Sequence, residues 1–229
     1  MAFDPDHNAS PVNPLPSVVV ALFLAIVLVE AAFSLGARGL IGGPGAVGWR
    51  LMALERFAFS GPVLDWMIQT RQAPPEHLLR FVTYSFVHGA FTSTLFACVM
   101  LLAIGKMVAE TLGQGRMLAI FFVSAFVGAL AYGLLLDDGR PLFGAFPAIY
   151  GLIGAFTYLL WLKLGQMGEA QIRAFSLIGV LLGLQLIFGL LFGGGLYWVA
   201  EIGGFVAGFA LTTVLVPGGW ARLRQRLRR

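Results

Sequence analysis

The feature that most constrains this chain is a series of nearly uncharged apolar runs, each long enough to cross a bilayer. A helix needs about 20 mostly apolar residues to span a hydrocarbon core about 30 Å thick. A further run, Phe91–Ile104, reaches that length only if it extends into Tyr84–Ala90 or Met107–Ala109. The sequence therefore predicts an all-α integral membrane protein in which six helices occupy residues 17–216. The five runs that suffice by themselves are Val18–Leu35, Met117–Leu136, Leu142–Leu162, Ala174–Phe192 and Tyr197–Val216.

The composition excludes the main alternatives to a membrane protein. Hydrophobic residues make up 59% of the chain and charged residues 11%, whereas soluble domains carry about 25% charged residues. The single cysteine, Cys98, cannot form an internal disulfide framework. The sequence has neither a Cys and His cluster suited to a metal nor a glycine-rich phosphate loop. We therefore expect no metal and no cofactor.

The distribution of basic residues predicts the orientation, because Lys and Arg concentrate in cytoplasmic segments. With six spans, a cytoplasmic C-terminus puts the N-terminus in the cytoplasm too, and we expect a bacterial inner membrane. The first loop carries five arginines and opposes this orientation, but the rule weakens in long loops. Residues 1–16 are expected to form a disordered cytoplasmic tail, and residues 217–229 a basic tail that contacts anionic lipids rather than nucleic acid. That tail holds Arg222, Arg224, Arg226, Arg228 and Arg229.

The first loop contains an amphipathic stretch, Arg50–Arg71, which mixes apolar residues with charged ones and is expected to break at Gly61 and Pro62. Such a stretch can lie in the membrane interface with its apolar side in the acyl boundary. It can equally be an ordinary loop packed on the bundle, and both interpretations stay open.

Two carboxylates, Glu30 and Glu201, fall inside predicted spans, both in the half of the membrane away from the cytoplasm. A charge at the bilayer centre costs about 2.5 to 3.5 kcal/mol, so such residues need a partner or water. They could line a water-filled cavity, or each could snorkel to the interface or accept a hydrogen bond from a neighbouring helix. Small residues spaced four apart also predict close helix packing. These pairs are Ser124 and Gly128, Gly151 and Ala155, Gly179 and Gly183, and Gly204 and Gly208.

Four stretches of the chain resemble, in order and spacing, motifs of the rhomboid family of intramembrane serine proteases. They are Arg80–Gly89, Gly105–Arg116, Gly144–Ala155 and Glu201–Gly208, and Trp49 and Arg50 also resemble a Trp-Arg pair of that family. The resemblance implies a six-helix bundle. It also marks binding or structural candidates, namely His88, Glu110, Arg116, Gly144, Tyr150, Gly151, Gly203, Gly204 and Gly208. Glu30 is a further candidate because its carboxylate falls inside a predicted span.

The resemblance also implies where catalytic groups would stand. The family uses a serine in a Gly-x-Ser-Gly motif, a histidine opening the sixth span, and a His and an Asn of the second span around the oxyanion. In this chain the serine position holds Phe146 and the histidine position holds Glu201. The two oxyanion positions hold Ser93 and Ala97. We therefore expect no catalytic residue at the family's positions.

Three functions follow as hypotheses. The first is a non-catalytic rhomboid-like protein that binds or regulates transmembrane segments of other proteins through the opening near its second and fifth spans. The second is an active serine endopeptidase that uses a non-standard pair, Ser93 or Ser85 with His88. The third is a proton or solute pathway through Glu30 and Glu201.

Overall fold

A computed structural model describes residues 14–136, 139–183 and 195–217. Residues 1–13 and 218–229, which include most of the predicted N-terminal tail and nearly all of the basic tail, lie outside those ranges. The described residues form helices joined by short loops, with one isolated β-bridge. The helices are α1 (Ser17–Ala37), α2 (Trp49–Phe57), α3 (Gly61–Thr70), α4 (Pro75–Thr83), α5 (Phe91–Leu112), α6 (Gln114–Leu135), α7 (Phe146–Gln166), α8 (Gln171–Gly183) and α9 (Trp198–Leu215).

The all-α membrane architecture predicted from the sequence is confirmed. Within the described ranges, five helices are long and apolar enough to cross a membrane: α1, α5, α6, α7 and α9. The predicted fifth span, Ala174–Phe192, is described only as far as Gly183, and its remainder lies outside the described residues. The short Phe91–Ile104 run becomes a full-length helix by extending through Met107–Ala109. It ends at Gly113, whose φ of 93° breaks the helix before α6 begins.

The predicted start of the fourth span, Leu142, is wrong by four residues, because α7 begins at Phe146. Leu142 instead pairs with Phe59 of the first loop through two backbone N–H···O=C bonds of 3.0 and 2.8 Å. Leu142 is buried in a loop, and hydropathy alone cannot separate a buried loop residue from a residue of the adjoining helix. Pro147 occupies the first turn of α7, where a missing N–H is tolerated.

The first loop folds into α2, α3 and α4. The predicted break at Gly61 and Pro62 is wrong, since these two residues open α3 and the chain turns just before them, at Ala58–Ser60. Proline fits a first helical turn, whereas the sequence interpretation treated it only as a breaker. Phe59 and Leu64 are buried against Gly133 near the end of α6. The loop therefore packs on the bundle, and placement of its exposed side in the membrane interface remains a prediction.

Helices α6, α7 and α9 pack with their backbones in close contact. A Cβ added to Gly204 or Gly208 would overlap the backbone carbonyl groups of Pro147 and Gly151, respectively, so α7 and α9 can approach this closely only with glycine there. A Cβ on Gly128 of α6 would lie 2.7 Å from the carbonyl oxygen of Ala200. The predicted small residues of α6, α7 and α9 thus form a seam between these helices, as expected for helices in lipid. The predicted pair Gly179 and Gly183 lies on α8, and a Cβ on either residue meets no described atom within 4 Å.

The helices bring the residues singled out from the sequence to one end of the bundle. Helices α7 and α9 begin there and run in parallel, so Phe146 and Glu201 both lie in a first helical turn. Helix α5 also begins at this end, just after His88. Helix α1 ends there, with Glu30 two turns before its last residue. The candidate site is built at this end.

Candidate functional site

Phe146 is the first residue of α7, and its ring occupies the position where the family resemblance would put a nucleophile. Its ring centroid lies 6.4 Å from that of His88, edge to face, and 6.2 Å from that of Phe96 on α5. Gly144, two residues earlier, has a φ of 97°, a conformation that favours glycine. The ring is half-buried and presents no atom that can attack a carbonyl group.

His88 holds the backbone in front of α7. The residue is only 2% exposed, and its Nε2 atom accepts a hydrogen bond of 3.2 Å from the N–H of Ala145. Burial lowers the pKa of His88 to about 4, which keeps the imidazole neutral at ordinary pH and leaves Nε2 able to accept that bond. His88 therefore serves as a fixed acceptor for a backbone N–H.

The segment before α7 is tied to the first loop at two further points. Leu142 is paired with Phe59, and the N–H of Gly144 donates to the carbonyl of Tyr84 over 2.9 Å. The Tyr84 hydroxyl in turn donates to the carbonyl of Ala125 on α6 over 2.8 Å. These bonds fix the residues leading into Phe146 from two neighbouring elements.

Glu30 is the centre of a polar cluster on the other side of His88. Its carboxylate accepts bonds from Arg50 at 2.6 and 2.9 Å, from the Ser34 hydroxyl at 2.7 Å and from the Thr94 hydroxyl at 2.8 Å. Arg50 also donates to the carbonyl of His88 over 2.8 Å. The cluster joins α1, α2 and α5 and positions His88. Sequence reasoning missed Arg50 and Thr94 as partners of Glu30, although the Trp49-Arg50 pair was the available signal.

Glu201 lies in the first turn of α9 and is only 4% exposed. Tyr150 on α7, which is also 4% exposed, lies close enough to Glu201 to interact electrostatically with its carboxylate. Glu201 therefore faces α7 inside the bundle rather than lipid. Of the two residues that the family resemblance places around the oxyanion, Ser93 is half-buried on the first turn of α5, and Ala97 is fully buried one turn further along.

The remaining candidates lie in other parts of the bundle. Glu110 pairs with Lys106 at 3.8 Å, and Arg116 donates to the carbonyl of Leu112 over 3.2 Å, both at the opposite end. Gly151, Gly204 and Gly208 belong to the seam between helices, and Gly203 faces Ala131 of α6. Among the described residues, no group of three or more His, Cys, Asp or Glu side chains could hold a metal ion.

Comparisons with known proteins agree with this architecture. A family model described as the Rhomboid domain matches residues 75–218, more than half of the chain. The chain is similar to Rhomboid-like protease 3 of Toxoplasma gondii, with 33% identity over 137 residues, which is 58% of this chain and 50% of that protein. It is also similar to RHOMBOID-like protein 7 of Arabidopsis thaliana, with 31% identity over 143 residues, 60% of this chain and 42% of that protein. The matched region thus spans about half the length of these relatives.

Proposed function

The chain belongs to the rhomboid family, and on that premise we propose that it binds transmembrane segments of other proteins without cutting them. The observation that carries this proposal is the phenylalanine ring at the nucleophile position, packed beside His88 and Phe96. Loss of the nucleophile alone lowers turnover in a serine protease on the order of 10⁶-fold. With Glu201 at the base position as well, neither the serine nor the histidine that the family uses for catalysis is present at its position.

The arrangement of His88 argues against a substitute dyad with Ser85. The Ser85 hydroxyl is fully buried, and it does not hydrogen-bond to His88 in the described structure. Nε2 of His88 is already occupied by the N–H of Ala145. A serine can be activated only if it lies within hydrogen-bond reach of its base. Ser93 with His88 remains the pair that an active enzyme would have to use.

Phe96 connects the site to an exposed apolar surface of α5. It contacts Phe146 yet is 53% exposed, and Leu95 and Val99 beside it are 54% and 57% exposed. In a bilayer this face meets lipid or another helix. A transmembrane client docked on it would come close to Phe146 without entering the bundle.

Photo-crosslinking tests this binding directly. A photoreactive side chain at Val99 on α5 is compared with one at Leu28 on α1. Leu28 is 65% exposed and belongs to a different helix from Phe96. We expect membrane proteins to be captured from Val99 well above the level at Leu28. Equal capture at the two positions would contradict the proposal.

For the orientation, we propose that both termini face the cytoplasm and that the site lies on the opposite side, on the strength of the C-terminal arginines. A membrane-impermeant maleimide applied to intact cells should then label Arg71→Cys and spare Glu110→Cys. Labelling of Glu110→Cys with protection of Arg71→Cys would show the reverse orientation. The native Cys98 is buried, so labelling of the unmodified protein gives the background signal.

The polar contacts of Glu30 favour a structural role over the pathway through Glu30 and Glu201. Four donor groups surround its carboxylate, including both Nη atoms of Arg50. A proton pathway requires a group that can release and take up its proton during transport. The pathway is therefore the less favoured proposal. A pH-dependent flux in liposomes that Glu201→Gln abolishes would support it.

A further inference from the structure

The contact between His88 and Ala145 depends on the protonation of a single nitrogen atom. The Nε2 atom of His88 accepts the N–H of Ala145 over 3.2 Å, and both residues are buried. A neutral imidazole has one nitrogen that can accept such a bond, whereas both nitrogens of an imidazolium carry a proton and can only donate. A proton added to Nε2 would therefore point at a second N–H group, and the contact could not persist.

The charged groups around His88 give little support to an imidazolium in this position. In the described part of the chain, α1 contributes the Glu30 carboxylate and α2 the Arg50 guanidinium, and their charges act on His88 in opposite directions. Helix α5 contributes the Cys98 thiol, which interacts with Glu30, and the segment Leu142–Ala145 contributes no titratable side chain. Burial outweighs these charges and lowers the pKa of His88 to about 4. Protonation therefore favours a conformation in which the ring reaches water.

The other attachments of the segment before α7 do not titrate. Leu142 is paired with the first loop, and the N–H of Gly144 donates to the carbonyl of Tyr84, so both contacts join backbone groups only. Gly144 precedes Ala145 and has a φ of 97° and no side chain, so the backbone can rotate there at little steric cost. Loss of the His88 contact would thus free Ala145 while the residues before it stay in place.

We propose that His88 is an acid-sensitive switch, which holds Ala145 in front of α7 while the ring is neutral and releases it when Nε2 takes up a proton. Ala145 directly precedes Phe146, so acid changes the conformation of the chain at the candidate site. Only this contact opens, and the packing of α6, α7 and α9 is retained. The switch is a property of the chain alone and does not depend on the proposed binding of transmembrane segments.

The size of the effect follows from the two protonation equilibria of His88. In the closed form its pKa is about 4, and an imidazole released into water has the ordinary pKa of about 6.5. Because the released form binds the proton more tightly, it gains stability relative to the closed form as the pH falls through 6.5 toward 4. The equilibrium constant for release should therefore rise about 25-fold between pH 7.5 and pH 5.

Hydrogen–deuterium exchange of the full chain in nanodiscs tests the switch, with single amides resolved by electron-transfer fragmentation. Each rate is divided by that of an unstructured peptide at the same pH, which gives the protection of the amide. We expect the protection of Ala145 to fall about 25-fold from pH 7.5 to pH 5. In His88→Gln the side-chain oxygen can still accept the bond but does not titrate, so the protection should stay constant. His77→Gln, which removes the histidine of α4, is the matched control and should respond as the unmodified chain does.

The proposal is overturned if Ala145 keeps its protection at pH 5, or if His88→Gln loses protection to the same extent. It is also overturned if Ala145 is never less protected than Leu152, a fully buried residue of α7, because Ala145 would then exchange only when the whole chain unfolds.

A second measurement needs no variant. The chain has three histidines, so ¹⁵N-histidine labelling and NMR can follow the protonation of His88 in the unmodified protein. We expect its signal to titrate over the same pH range in which Ala145 loses protection. Titration of His88 without faster exchange at Ala145, or faster exchange without titration, would contradict the switch.

Discussion

The two sides of α7 are held by different kinds of interaction. Toward α6 and α9 the contacts are between backbones, and glycines such as Gly204 and Gly208 allow carbonyl groups to approach closely. Toward α1 and α5 the connection runs through polar side chains, from Glu30 and Arg50 to His88 and then to Ala145. The backbone seam tolerates almost no change in volume, whereas the polar side depends on the pairing of charge. The candidate site lies where the two sides meet, at the first turn of α7.

The largest effect is expected in the glycine seam. Gly208→Leu would drive a side chain into the carbonyl group of Gly151, and we expect the free energy of unfolding to fall by about 3 kcal/mol or more. Unfolding in detergent by titration with sodium dodecyl sulfate measures this. Gly115→Leu is the control, since a Cβ on Gly115 meets no atom within 4 Å. Similar stability of the two variants would show that α7 and α9 leave room for a side chain at Gly208.

The second largest loss of stability is expected on the polar side of α7. Arg50→Met leaves the Glu30 carboxylate buried without its cation, and we expect a loss of about 3 kcal/mol of stability. The double variant Arg50→Met with Glu30→Leu removes the stranded charge as well and should recover most of that loss. The same detergent titration compares them. A single variant as stable as the unmodified chain would mean that the ion pair does not hold α2 against α1.

The pH dependence of stability separates the two sides further. Because burial lowers the pKa of His88 to about 4, the unfolded chain binds a proton at a higher pH than the folded chain does. Stability should therefore be complete above about pH 7 and fall as the pH drops through 6.5 toward 4. The expected contribution of His88 is a loss of about 2 kcal/mol between pH 7.5 and pH 5.

The variant His88→Gln checks the origin of this pH dependence. It replaces the titrating ring with an amide that can still accept a hydrogen bond, so this part of the dependence should disappear. Thermal unfolding of both proteins at several pH values gives the comparison. A drop of the same size in His88→Gln would assign the effect to other groups.

The smallest of these effects is expected at the meeting point of the two sides. Tyr150→Phe removes the hydroxyl that interacts with Glu201 while keeping the ring, and we expect a loss of about 1 kcal/mol of stability. Tyr158→Phe, on the same helix, is the control for loss of a tyrosine hydroxyl. If Tyr150→Phe is no less stable than Tyr158→Phe, the Glu201 contact does not support the packing of α7 against α9.

The two sides also differ in how far the sequence predicted them. Small residues spaced four apart, such as Gly204 and Gly208, predicted the seam because close packing in lipid needs little else. The polar side depends on contacts between distant residues, and nothing local to Glu30 shows that Arg50 lies within reach. The turn at Ala58–Ser60 was missed because Gly61 and Pro62 were interpreted as helix breakers. Glycine and proline can equally stand in the first turn of a helix, as they do at the start of α3. The replaced positions Phe146 and Glu201 were identified through the family motifs, not through hydropathy.

We propose above all that this rhomboid scaffold carries no working nucleophile. The most direct measurement incubates the purified protein with a transmembrane substrate and a fluorophosphonate probe, and examines both for reaction. We predict neither a labelled protein nor a cleavage product, because Phe146 stands where the family resemblance places the nucleophile. A probe adduct or cleavage product that Ser93→Ala or Ser85→Ala abolishes would contradict this proposal.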